Sequence, residues 1–141
     1  LVLHVLFYVA AFATSVIAAA ASIAHLLKRT PESLASIPER GALDRIAYRQ
    51  TGLAFAYWGI GLMTGAVWAY YSWGRFWGWD PVETWSLVTW LAFAIYLHLR
   101  RFHGWRGNRA AVVLLTCFAL AMLSLFGISL LTSTLHSGYF S

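Results

Sequence analysis

Ala110–Thr132 reads AAVVLLTCFALAMLSLFGISLLT, a stretch without a single charged side chain. At 1.5 Å of rise per helical residue, about 20 such residues cross a hydrocarbon core of about 30 Å. The natural solvent of this run is therefore lipid. Three further apolar runs precede it, Leu1–Leu27, Thr51–Tyr71 and Pro81–Leu99. The chain is 60% hydrophobic and 11% charged, against roughly 25% charged in a soluble domain. None of the runs shows the alternation of a closed barrel, so helices, which satisfy their backbone groups internally, are the expected spanning elements. The expected fold is all-α: a polytopic membrane helix bundle of about four transmembrane helices, forming one domain over residues 1–141. The abrupt start at Leu1, already inside an apolar run, points to a segment of a larger membrane protein.

The formal charge of +5 is explained by topology rather than by a polyanionic partner. Lys28, Arg29, Arg40, Arg45 and Arg49 fall between the first and second runs, and Arg100, Arg101, Arg106 and Arg109 between the third and fourth. Successive crossings put these two loops on one side, and the positive-inside rule makes that side cytoplasmic. Both chain ends and the loop between runs two and three then face a periplasmic or lumenal space, across a bacterial cytoplasmic or thylakoid-like membrane. Nucleic acid is not an expected partner. Cys117 is the only cysteine, which excludes a disulfide framework, a zinc quartet and a redox pair, and reads as a small packing residue. The first run is too long, and lacks the basic flank, for a cleaved signal peptide.

Between Lys28 and Gln50, Pro31 and Pro38 break the chain before Glu39–Gln50, where Leu43, Ile46 and Ala47 can face the bilayer while Arg40, Asp44 and Arg45 face water. A short interfacial helix is expected there. Gly61 and Gly65 form a small-x-x-x-small pair in the second span and predict close helix approach. Asp80, Pro81 and Glu83 match N-cap, N1 and N3 of a helix, with the reciprocal capping that satisfies its first amides. Span three therefore starts at the outer surface. His98, about 26 Å of helical rise beyond Pro81, lies near the cytoplasmic face.

The chemistry concentrates in Trp73-Gly-Arg-Phe-Trp-Gly-Trp-Asp-Pro-Val-Glu-Thr-Trp85. Aromatic belts account for one or two interfacial indoles, not for Trp73, Trp77, Trp79 and Trp85 together. Gly74 and Gly78 are expected to let a flat object approach the backbone, so the loop reads as a platform for a large planar apolar ligand. His4, at the outer start of span one, and His136, beyond the outer end of span four, come to the same side. Paired neutral imidazoles are a normal way to hold the iron of a porphyrin.

These residues carry a resemblance. The string Trp73–Leu87, continuing to Thr89-Trp-Leu91 and Ala94–Arg100, together with Leu3-His-Val5, Trp105-Arg-Gly107 and Leu135-His-Ser137, resembles the WWD signature of the haem-handling cytochrome c assembly proteins. It is most similar to the CcsA (ResC) type of System II cytochrome c synthetase. The Asp-Pro-Val-Glu string is also similar to the larger System I haem lyase, and Val82 stands where a lysine is common in the CcsA type.

The resemblance implies that His4 and His136 are the axial ligands of an outer haem b lying against Trp73, Trp77, Trp79 and Trp85. It implies that His98 binds an inner haem iron within the membrane, with its partner ligand supplied from outside this chain; His25 is the local alternative. It also implies a ResB/CcsB-type partner subunit or fused segment and, as recipient, an apocytochrome c carrying Cys-x-x-Cys-His. Arg75 suits a haem propionate or water equally well, and the capping geometry makes Asp80 and Glu83 structural rather than proton shuttles. The leading expectation is haem export, presentation and covalent attachment. The alternatives are delivery of haem to a separate ligase and a haem-free structural subunit of a respiratory assembly.

Overall fold

A computed structural model describes residues 1–131. All its regular structure is helical: α1 (Val2–Leu27), α2 (Arg40–Trp73), α3 (Pro81–Phe102) and α4 (Gly107–Met122), the last running through a π-helical segment, Leu123–Gly127, into α5 (Ile128–Leu131). Four of these stretches are long and apolar enough to cross a membrane, Val2–Leu27, Arg40–Trp73, Pro81–Phe102 and Gly107–Gly127.

The most extensive interface among the described residues joins α1 to α2. Its basis is a stripe of small residues: Ala11, Ser15, Ala18 and Ser22 are all buried on α1, with His25 continuing the line, at alternating spacings of four and three that return to one helix face. Small side chains let two backbones approach where no hydrophobic effect drives helices together. The expected Gly61–Gly65 notch is used in this seam, with Tyr8 against Gly61 and His4 against Gly65. Trp58, wholly buried, ties α2 to α3 by donating its indole N–H to the Ser86 carbonyl at 3.0 Å. Trp90 returns the link, donating to the Phe55 carbonyl at 3.1 Å while its ring stacks on Phe55 at 4.9 Å. Cys117 is buried as packing, its thiol directed at the Ala92 carbonyl.

The expected interfacial helix over Glu39–Gln50 is not a separate element. It is the first third of α2, which runs unbroken from Arg40 to Trp73. Leu43 and Ala47, expected to face the bilayer, are buried in the protein core. Asp44, expected to face water, pairs with Arg100 of α3 at 2.7 Å and accepts the Gly107 amide at 3.2 Å. With no proline between Arg40 and Trp73, the helix can extend past the hydrocarbon core, and partners on α3 and α4 give its polar residues a reason to turn inward. The basic segments and the Trp-rich loop thereby occupy opposite ends of the bundle.

Candidate functional site

The loop Gly74–Asp80 is held at both ends by local rules. Gly74 closes α2 in the left-handed region (φ 75°), and its N–H donates to the Tyr70 carbonyl. At the other end the expected capping box is present: Asp80 accepts from the Val82 amide at 3.1 Å, and Glu83 accepts from the Asp80 amide at 3.3 Å. Glu83 goes further than a cap requires, taking the Gly78 amide at 2.8 Å on the same oxygen. One carboxylate thus fixes loop and helix start together. The two glycines have local roles in this geometry: Gly74 ends a helix, and Gly78 makes room for Arg75, whose Nε would lie 2.6 Å from a Cβ there.

Beneath the loop lies an apolar cavity of about 420 Å³, within the range of small-molecule and cofactor sites. Its walls include His4 and Tyr8 from α1, Trp68 from α2, Phe76 and Trp77 from the loop, Glu83 and Ser86 from α3, and Ser124 with Phe126 from the π-helical segment. Of the predicted loop residues, Trp77 lines it. Trp73, Trp79, Trp85 and Arg75 are not among the described walls. Trp73 packs edge-on against Trp68 at 5.0 Å. Trp79 has φ 57°, is 70% exposed and meets Trp77 edge-on at 5.8 Å. The Trp77 indole nitrogen is buried with no hydrogen-bond partner among the described residues, a donor at the cavity wall of a kind that costs about 1–3 kcal/mol when left unmade.

Several wall residues escaped the sequence reading, Trp68, Phe76, Tyr8 and Ser124 among them. Trp68 lies parallel to the His4 ring, 6.5 Å between centroids and 11° between planes, and Phe76 stacks on Tyr70 at 4.5 Å. The signal for Trp68 was its place one turn beyond Gly65, on the face that carries the glycine notch. Ser124 sits where a π-helical segment interrupts α4, a feature that often marks functional positions, and its hydroxyl meets that of Ser86 at 3.2 Å.

His4 is the chemically committed member. Its Nδ1 lies 2.8 Å from the Gly61 carbonyl oxygen; a carbonyl only accepts, so Nδ1 carries the proton. In the neutral ring the lone pair is then on Nε2. A backbone carbonyl on one ring nitrogen is the usual second-shell arrangement of a metal-binding histidine. His136 lies outside the described residues.

His98 lies at the other end, on the outer face of α3. It is exposed and borders a groove of about 520 Å³ between α2 and α3, lined also by Tyr48, Arg49, Phe55, Arg101 and Phe102. His103 is 5.2 Å from it, centroid to centroid. His25 is engaged elsewhere: its Nδ1 donates to the Arg40 carbonyl at 2.9 Å, and its Nε2 accepts from the Arg40 guanidinium at 3.3 Å. Both ring nitrogens are thus engaged with Arg40.

An imidazole fixed by a backbone carbonyl, facing an apolar cavity under a Trp-rich loop, is the arrangement against which relatives can be compared. The family described as Cytochrome C assembly protein matches residues 1–136. The chain belongs to that family. Among cytochrome c assembly relatives, a protein of Chlamydomonas reinhardtii named cytochrome c biogenesis protein CcsA is 40% identical over all of this chain and 41% of its own length. The protein of the same name from Trichodesmium erythraeum is 48% identical over 80% of this chain and 33% of its own. That of Synechococcus elongatus is 45% identical over 82% of this chain and 35% of its own. The chain therefore spans about two fifths or less of these relatives. No solved structure matches it.

Proposed function

We propose that this segment is the haem-handling core of a cytochrome c synthetase. Haem b, as substrate, is held outside the membrane under the Trp loop and presented to an apocytochrome c bearing Cys-x-x-Cys-His. The single observation that carries the reading is the His4 Nδ1–Gly61 carbonyl contact at the wall of the apolar cavity. That contact directs Nε2 to a ligand, the apolar walls suit a planar macrocycle, and the buried unpartnered Trp77 N–H offers a donor to a polar edge of the guest. His4 and His136 act as axial ligands. Trp77 lines the site, while Trp73, Trp79 and Trp85 brace or border the loop and Arg75 is available to a propionate. Bound haem supplies the vinyl groups on which thioethers form; the chain binds it, orients it and limits water around it.

His98 serves a separate inner site whose second ligand comes from a ResB/CcsB-type subunit or fused segment, consistent with its exposure on the bundle's outer face. The basic end faces the cytoplasm and the Trp-loop end the periplasm or lumen. Residues 1–141 act as one unit of this larger machine. The test is a His4→Ala/His136→Ala double variant of the haem-loaded complex: the outer haem spectrum should vanish, and an unchanged spectrum would refute the assignment.

A further inference from the structure

The α1–α2 seam contains two glycines one turn apart, and they face different side chains. A Cβ at Gly61 would lie 3.0 Å from the Tyr8 ring, a contact that a few tenths of an ångström relieve. At Gly65 the same carbon would lie 2.5 Å from His4 Nδ1 and 2.6 Å from its Cε1, inside any tolerable contact. The ring cannot simply swing away, because Tyr8 meets it edge-on at 4.8 Å, Trp68 lies parallel on another side, and Nδ1 is bound to the Gly61 carbonyl at 2.8 Å. The imidazole sits in a slot whose floor is the missing side chain of Gly65 and whose latch is the backbone of Gly61.

We infer that Gly65 is a positioning residue for the outer haem: the absence of its side chain seats the His4 imidazole so that Nδ1–H reaches the Gly61 carbonyl and Nε2 is presented to iron. The inference rests on His4 being a haem ligand. A methyl group at Gly65 pushes the ring off its acceptor, which both misdirects Nε2 and removes the hydrogen bond that raises its basicity. Gly65 never touches the ligand; it acts through the ring.

The experiment compares Gly65→Ala, Gly59→Ala and His4→Ala in the purified haem-loaded complex, reading haem per protein and the axial-ligand absorption and resonance Raman signatures, with and without added imidazole. Gly65→Ala should weaken retention of the outer haem roughly 10- to 100-fold, as second-shell losses do, and free imidazole should restore the low-spin spectrum. The inner haem bound through His98 should persist, showing that the bundle is folded. Gly59→Ala inserts the same methyl into the same helix at an equally tight place, 3.0 Å from Trp90 Nε1 and away from the cavity walls, and should retain the outer haem spectrum.

An unaltered spectrum in Gly65→Ala overturns the inference. So does equal loss in both glycine variants without imidazole rescue, which would reduce the notch to ordinary packing. If His4→Ala empties the site while Gly65→Ala does not, only the inference falls. If His4→Ala itself changes nothing, the ligand reading falls and takes the inference with it.

Discussion

Asp44 and Arg100 form an ion pair at 2.7 Å between α2 and α3, with their side chains only 13% and 4% exposed. The pair also reaches α4, because the same Asp44 oxygen accepts the Gly107 amide, and the Arg100 guanidinium lies over the Tyr48 ring at 4.9 Å. Three helices are thus joined at the basic end of the bundle, opposite the cavity.

Removing one partner leaves a withdrawn charge uncompensated, at a typical cost of about 3–5 kcal/mol. Asp44→Ala should therefore lower stability in detergent sharply. A double Asp44→Asn/Arg100→Met change, which removes both charges, should cost clearly less than either single truncation. Thermal or denaturant unfolding followed by circular dichroism checks the ordering.

Glu83 is predicted to matter as an acceptor, not as an acid. Glu83→Gln keeps an oxygen for the Gly78 and Asp80 amides and should leave haem loading close to wild type. Glu83→Ala loses the reciprocal cap, about 0.5–2 kcal/mol for such a contact, and should speed hydrogen exchange at the Gly78 amide. Equal loss of function in both variants would point to proton chemistry instead.

The loop tryptophans should separate by position. Trp77→Ala removes a cavity wall and should deplete outer haem severalfold, whereas Trp79→Ala, on an exposed ring, should change haem content little. Trp77→Phe keeps an aromatic ring but loses the second ring together with the buried N–H. The lost packing and the relieved N–H oppose one another, so the empty protein should change stability by only about 1 kcal/mol while haem retention weakens. Haem per protein and thermal stability, measured side by side, decide this.

His98→Ala should abolish only the inner haem. Its ring borders a groove between α2 and α3, at the opposite end from His4, so the outer spectrum of haem supplied from outside should survive. Loss of both signals with externally supplied haem would mean that the two sites are one.

What could be read along the chain was whatever depends on local periodicity. Span length, helix caps and basic-loop asymmetry are one-dimensional properties, so the four membrane helices and the Asp80–Glu83 start of α3 were legible. So was the sharing of one end by His4 and the Trp loop, because each crossing reverses direction. The Gly61–Gly65 spacing announced a close approach, though not what would fill it. The misreading of Glu39–Gln50 has the same origin: amphipathicity shows which face is polar, and cannot tell water from an arginine on another helix.

The amino-acid sequence by itself determined a four-span helical membrane protein of the cytochrome c assembly family, with its aromatic loop and His4 at one end and His98 at the other. Only the tertiary structure decided which aromatic residues line the cavity, bringing in Trp68, Phe76 and Tyr8 and leaving Trp73, Trp79 and Trp85 outside its described walls. It alone decided which nitrogen of His4 holds the proton. The physical reason is that helix periodicity assigns a residue to a face, whereas a ring's tautomer and contacts depend on atoms 57 positions away in the chain, brought within hydrogen-bonding reach by the absence of two side chains.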